Sequence, residues 1–176
     1  MDLRRAVIFG AVVLLMLTTG VTAESQADMK FSDPYQLFHF MIPSGWIFQA
    51  GESSRQLLVF YGPEHDQLIY IEYFPEISFS DPMDFAAQVL GHYSADYGLT
   101  SFELVNAPRL IDLAGVKAAL VEYDYLGRKE RTECRIFTIV NQIGLTITFS
   151  ESKTHYAYSK DLFDSILASL TWEVSQ

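Results

Sequence analysis

The stretch RTECRIFTIVNQIGLTITFS, residues 131–150, contains the most regular strand pattern in the chain. Within it, Leu145, Ile147 and Phe149 alternate with threonine and serine, and a period of two is typical of a strand with one apolar face. Residues 131–140 form a second long apolar run, and residues 141–144 between the two runs have the composition of a turn. The stretch therefore predicts two long strands of a mainly antiparallel sheet.

On the N-terminal side, the same kind of pattern predicts a first block of three antiparallel strands, at residues 35–42, 57–61 and 68–74. Asp81 and Pro82 then provide a helix start, with the aspartate as N-cap and the proline in the first turn. Apolar residues recur every fourth position from Phe85 to Tyr97, so we expect one helix that Gly98 closes.

Between this helix and residue 131, residues 101–105 and 109–113 are interrupted by residues 106–108, which end in Pro108, and this predicts an extended segment that is bent or bulged at the proline. Residues 116–125 follow as a strand, and residues 156–170 place their apolar side chains on one side of a C-terminal helix. The prediction is an α+β domain: an α-β-α sandwich with about six to seven strands, one helix after strand three and one at the C-terminus.

The composition excludes several classes of function. Of the 176 residues, 12 are Lys or Arg and 22 are Asp or Glu, and the resulting net charge of -10 repels nucleic acid. The single cysteine, Cys134, excludes an intramolecular disulfide and a zinc site with several thiolates. It lies within a predicted strand, where a buried apolar role is favoured over a nucleophile.

The first 23 residues have the organisation of a secretory signal peptide. Arg4 and Arg5 precede the apolar residues 6–17, and small residues lead to a cleavage site after Ala23. The apolar run is shorter than the roughly 20 residues that cross a bilayer, which favours cleavage over an uncleaved anchor. We therefore predict a polar leader at 24–34, a single domain at 35–176, and export to the periplasm or the medium, without a transmembrane segment after cleavage.

Two segments point to a known family. Residues 38–46, FHFMIPSGW, resemble the F-x-x-x-x-P-x-G-W opening of PsbP-like domains. Residues 163–172, FDSILASLTW, are similar to the closing helix of that group and of DcrB-type envelope proteins. The resemblance spans about residues 35–172 and implies an α-β-α sandwich around an antiparallel sheet. It also implies a binding or assembly role, because most members of this group are not catalysts.

Metal ligands are the first type of candidate site. Glu64, His65 and Asp66 are adjacent on a predicted turn, although consecutive side chains point apart and an exposed acidic turn is the favoured interpretation. His92 and Asp96 are four residues apart on the predicted helix, where a pair within the helix is favoured over a metal site. No motif for catalysis or for a cofactor is present, so no cofactor is predicted.

A protein-binding face is the second type of candidate site. If part of the sheet is left uncovered by a helix, strand tyrosines would form an aromatic patch for a partner. The tyrosines in question are Tyr70, Tyr73, Tyr123 and Tyr125, with an acidic rim at Glu72, Glu122 and Asp124. We therefore expect an exported, non-catalytic protein that binds an envelope or membrane-associated protein. The alternatives are a metal- or small-ligand-binding module and a hydrolase with an unrecognised site.

Overall fold

The structure is a computed structural model that describes residues 28–64, 66–95 and 98–173. The predicted signal peptide, its predicted cleavage site after Ala23 and the first residues of the predicted leader lie outside this part of the chain. The described elements, in chain order, are β1 (Met29–Ser32), β2 (Phe38–Ile42), β3 (Ile47–Phe48), β4 (Leu57–Tyr61), β5 (Leu68–Phe74), α1 (Pro82–Tyr93), β6 (Glu103–Leu104), β7 (Arg109–Leu113), β8 (Val116–Leu126), β9 (Glu130–Val140), β10 (Ile143–Ser152), α2 (Tyr156–Ala168) and β11 (Thr171–Trp172).

The main sheet has eight strands, which run in the order β3-β4-β5-β10-β9-β8-β6, with β7 also paired to β8. Every pairing in it is antiparallel. Strands β9 and β10 form the predicted hairpin, with Ile147 opposite Ile136 and Phe149 opposite Cys134. The α+β class and the mainly antiparallel sheet are confirmed. The predicted first block of three strands is wrong, because β2, within residues 35–42, pairs with β1 and β11 in a separate sheet. The main sheet instead contains the short strand β3 beside β4, and the segment around Pro108 contributes two short strands to the edge of β8.

A second, smaller sheet has the order β1-β2-β11 and was not anticipated. Its strand β1 lies within residues 24–34, which the sequence predicts to be a leader, and β11 follows the C-terminal helix. Strands this short carry no readable alternation, so only their pairing with β2 defines them. The Trp172 indole fixes β11 by donating to the Leu113 carbonyl over 2.8 Å and by packing edge-on against Phe38.

The two helices pack on opposite faces of the main sheet. Helix α1 covers a cluster that includes Phe85, Val121 and Phe137. Helix α2 packs through Phe163, whose ring stacks on Phe149 at 5.4 Å, in the larger core shared with the small sheet. Since adjacent residues of a strand point to opposite faces, Phe137 and the Phe149–Cys134 pair lie on different sides.

Helix α1 begins as predicted but ends earlier. The Asp81 side chain accepts from the Met83 amide, and Pro82 occupies the first turn. The last helical residue is Tyr93, so the predicted end at Gly98 is wrong. The Leu99 amide bonds back to the Tyr93 carbonyl, which turns the chain out of the helix.

Among the described residues, no helix is long and apolar enough to span a membrane.

Candidate functional site

A cleft of about 410 Å³ lies where the loop after β1, the loop before β4 and the end of β5 meet. It is lined by Tyr35, Ser54, Arg55, Gln56, Tyr73, Pro75 and Ile143. A second hollow of about 380 Å³ shares Tyr35, Ser54 and Arg55 and adds Pro34 and Leu58. This size and this mainly apolar lining with a few polar groups are typical of a ligand-binding site.

Tyr35 is held in place from two sides. Its hydroxyl donates to the Arg55 carbonyl over 2.6 Å, and its ring lies 5.1 Å from the ring of Tyr73. The buried Asp33 carboxylate fixes the turn below, because it accepts the amides of Tyr35 and Leu37 at 3.1 and 2.9 Å. The cleft is therefore preformed, which lowers the entropy cost of binding.

Tyr73 forms the inner wall of the cleft. Its hydroxyl donates to Asp33. Burial and this hydrogen bond raise the pKa of Tyr73 well above the usual value for tyrosine. The phenol therefore stays protonated at physiological pH, and its hydrogen bond to Asp33 fixes the position of the ring.

Arg55 gives the cleft its charge. Its side chain is exposed, and no described Asp or Glu oxygen lies within 4.0 Å of its guanidinium. Five other described cations are paired with a carboxylate; the ion pairs are Lys117–Asp81, Lys129–Asp66, Arg135–Glu72, Lys153–Asp124 and Lys160–Asp164. The cleft thus combines an aromatic interior with an available positive charge at its rim.

Three of the four tyrosines predicted for the partner face converge on Glu133, which is only 4% exposed. The hydroxyls of Tyr70, Tyr123 and Tyr125 donate to its carboxylate over 2.8, 2.5 and 2.9 Å. Burial and the neighbouring Glu133 raise the pKa of Tyr125 to about 12. Tyr123 is fully buried, so these hydroxyls satisfy an internal carboxylate and are not arranged as an exposed patch.

Arg135 extends this polar cluster along β9. Its guanidinium is buried, ion-pairs with Glu72, and donates to the hydroxyls of Tyr93 and Thr146. The ring of Phe137 lies 5.3 Å from the guanidinium carbon. Glu72, which the sequence predicts in an acidic rim, therefore pairs with a buried cation, and its own side chain stays 30% exposed.

The other residues of the predicted face lie elsewhere. Tyr73 is on the opposite face of β5 from Tyr70, because strand neighbours alternate. Glu122 and Asp124 likewise face away from Tyr123 and Tyr125. Glu122 accepts from the Tyr156 hydroxyl over 2.7 Å, and Asp124 accepts from the Thr132 hydroxyl and pairs with Lys153.

The metal candidates are only partly described. Glu64 is exposed, and Asp66 pairs with Lys129. His92 is exposed in α1. The other two, His65 and Asp96, lie outside the described residues. Within the described part of the chain, no three His, Cys, Asp or Glu side chains are placed to hold a metal ion.

Candidate nucleophiles are poorly arranged for catalysis. Cys134 is buried as predicted, and burial raises the pKa of its thiol to about 12. The Ser152 hydroxyl lies 3.2 Å from His155 Nδ1, yet the buried Glu151 carboxylate lies 3.1 Å from the same hydroxyl. In a hydrolytic triad the carboxylate instead bonds to the far nitrogen of the histidine. The Glu151 carboxylate bonds to the Ser152 hydroxyl and not to His155, so it does not orient the histidine as a base toward the serine.

Of the residues that line the cleft, only Tyr73 was among the side chains that the sequence singled out for a binding face. Ser54 and Arg55 belong to a polar stretch that indicates only a loop, and Tyr35 indicates only the start of a strand. Ile143 comes from a distant turn. No local signal connects such residues, since the pairing of β5 with β4 and β10 is what brings them together.

Comparison with known proteins identifies the fold. No protein-family profile matches the chain, and no curated protein matches its sequence. Among solved structures, cyanobacterial PsbP (CyanoP) from Synechocystis is similar with a TM-score of 0.65 and 21% identity, over 89% of this chain and 98% of that one. LpqN of Mycobacterium tuberculosis, described as involved in cell envelope biogenesis, is similar with a TM-score of 0.60 and 16% identity, over 82% of this chain and 90% of that one.

The Ran-binding protein Mog1p of Saccharomyces cerevisiae is also similar, with a TM-score of 0.57 and 11% identity over 82% of this chain and 94% of that one. Identities this low establish a shared fold and leave activity open. They confirm the resemblance carried by residues 38–46 and 163–172. The chain therefore has the PsbP-like α-β-α fold.

Proposed function

We propose that this chain is an exported, non-catalytic binding protein that recognises an envelope or membrane-associated protein through the cleft that Tyr35 and Tyr73 line. The observation that carries the proposal is the cleft itself, preformed by the Tyr35 hydroxyl on the Arg55 carbonyl and by the Tyr35–Tyr73 ring contact. Aromatic residues and arginine are enriched at protein interfaces, where they supply much of the binding energy.

Two further facts support a binding role. Two proteins with the same fold are described as Ran-binding and as involved in cell envelope biogenesis. Two candidate nucleophiles are unsuited to catalysis: burial raises the pKa of the Cys134 thiol, and the Glu151 carboxylate bonds to the Ser152 hydroxyl rather than to His155. Export is supported by the sequence of residues 1–23, which has the three regions of a signal peptide.

Site-specific photocrosslinking in the native cells tests this proposal. A photoreactive amino acid replaces Gln56, an exposed residue of the cleft, and in a matched control it replaces Asp161, an exposed residue of α2. We expect a recurrent partner from position 56 that position 161 does not capture, and a purified chain that begins at Glu24. The same proteins crosslinked from both positions would contradict docking in the cleft, and a retained residue 1–23 would contradict cleavage.

A further inference from the structure

We infer that the cleft binds the C-terminal residue of its partner protein, with an aromatic side chain inside the cleft and the terminal carboxylate on Arg55. This inference rests on the proposed function and adds the chemistry that the cleft recognises. It follows from the character of the walls, the charge at the rim and the geometry of a peptide end.

The walls favour an aromatic side chain. The Tyr35 and Tyr73 rings, Pro75 and Ile143 provide a largely apolar interior. A volume of about 410 Å³ exceeds that of one aromatic side chain and leaves room for its backbone. Aromatic rings gain from tilted or offset contacts with other rings in addition to the area they bury.

The rim favours a carboxylate. Arg55 lines both hollows of the cleft and has no acidic partner among the described residues. Guanidinium groups bind carboxylates through two parallel hydrogen bonds. The hydroxyl of Ser54 and the side-chain amide of Gln56 belong to residues that line the same cleft, and both groups can donate further hydrogen bonds.

The apolar interior and Arg55 line the same cleft, and this arrangement fits the C-terminal end of a peptide. In an extended peptide, neighbouring side chains point in opposite directions, so an acidic neighbour of an aromatic residue points out of the cleft. The terminal carboxylate, in contrast, is attached to the Cα that carries the aromatic side chain. A C-terminal aromatic residue can therefore fill the cleft and reach Arg55 together.

The test uses three small probes with the exported protein purified from cells that express the full chain. N-acetyl-tryptophan carries the ring and the terminal carboxylate, N-acetyl-tryptophanamide lacks the carboxylate, and N-acetyl-aspartyl-tryptophanamide carries the carboxylate on the neighbouring residue. Amide chemical shifts of the labelled protein give the dissociation constant of each probe and the residues affected.

We expect N-acetyl-tryptophan to shift the signals of residues 54–56 and 73 and to bind about fivefold more tightly than either amide, the upper range for an exposed charge pair. Arg55→Gln abolishes this difference. It leaves the cleft intact, because Tyr35 bonds to the backbone carbonyl of residue 55. Arg109→Gln, which removes an exposed charge on β7, preserves the difference. Tyr35→Ala weakens all three probes.

Three results would overturn the inference: no binding up to about 10 mM, which is weaker than any useful contact; equal binding of N-acetyl-tryptophan and its amide; or equal binding of the aspartyl probe, which would indicate an internal acidic residue. Crosslinking from position 56 distinguishes failure of the C-terminal chemistry from failure of the proposed function. A partner captured there that does not end in Phe, Tyr or Trp refutes only the C-terminal chemistry, and the absence of a partner refutes the cleft as a docking site.

Discussion

The substitution Glu133→Gln tests whether the buried tyrosine cluster stabilises the fold. The Glu133 carboxylate accepts three tyrosine hydroxyls at 2.5 to 2.9 Å. A hydrogen bond to a charged group contributes about 1.5–3 kcal/mol, against about 0.5–1.5 kcal/mol for a neutral one. The glutamine keeps the size of the side chain but removes its charge and one of its acceptors.

The expected loss is about 1 kcal/mol per hydrogen bond, or about 2–3 kcal/mol in the free energy of unfolding. For a chain of this size, this lowers the Tm by about 5–10 °C. Glu133→Leu should cost more, about 4 kcal/mol, because the fully buried Tyr123 hydroxyl then has no acceptor and no access to water.

Urea unfolding followed by circular dichroism measures these differences, provided that the slope m stays constant. The matched control is Glu130→Gln, at an exposed position of the same strand, which should change stability by less than about 0.5 kcal/mol. Combining Glu133→Gln with Tyr123→Phe should cost less than the sum of the two single changes, because both remove the same contact. A loss below about 0.5 kcal/mol for Glu133→Gln, or strict additivity, would refute this account of the cluster.

Three further outcomes are expected. Because burial raises the pKa of the Cys134 thiol to about 12, a thiol reagent at neutral pH should react at the rate of global unfolding, and rapid labelling of the native protein would contradict its burial. Gly45→Ala should lower the free energy of unfolding, measured with urea, by about 1–2 kcal/mol, because Gly45 has a φ of +90° and an added Cβ would lie 3.3 Å from Pro63. Gly51→Ala is the control and should be nearly neutral, because a Cβ at this position meets open space. Stability should fall as the pH rises above 10, because the buried tyrosines stay neutral in the folded chain while those of the unfolded chain ionise; for Tyr125 the loss extends to about pH 12. Exposed tyrosines such as Tyr158 ionise in the folded chain, so the result that would contradict this account is ionisation of Tyr123 or Tyr125 without unfolding, measured as an absorbance change before unfolding that Tyr123→Phe or Tyr125→Phe removes.

The class of the fold and the faces of its long strands follow from local patterns in the sequence. Alternation is a local property of the backbone, so Leu145, Ile147 and Phe149 could be placed on one face before any pairing was known. The start of α1 was equally local, because the Asp81 cap and Pro82 act within one turn. Its end depended on a bond from Leu99 back to Tyr93, which no single residue type specifies.

The contacts that the side chains make across the sheet depend on the tertiary structure. The pairing of β5 with β10 and of β10 with β9 brings Tyr70 next to Glu133, which turned a predicted binding surface into an internal polar cluster. The pairing of β5 with β4 and β10 brings Arg55, Tyr73 and Ile143 together, and the Tyr35 contacts with Arg55 and Tyr73 complete the cleft. Strand order and register are set by how the whole core packs, and for this reason a residue's neighbours across the sheet could not be read from its neighbours along the chain.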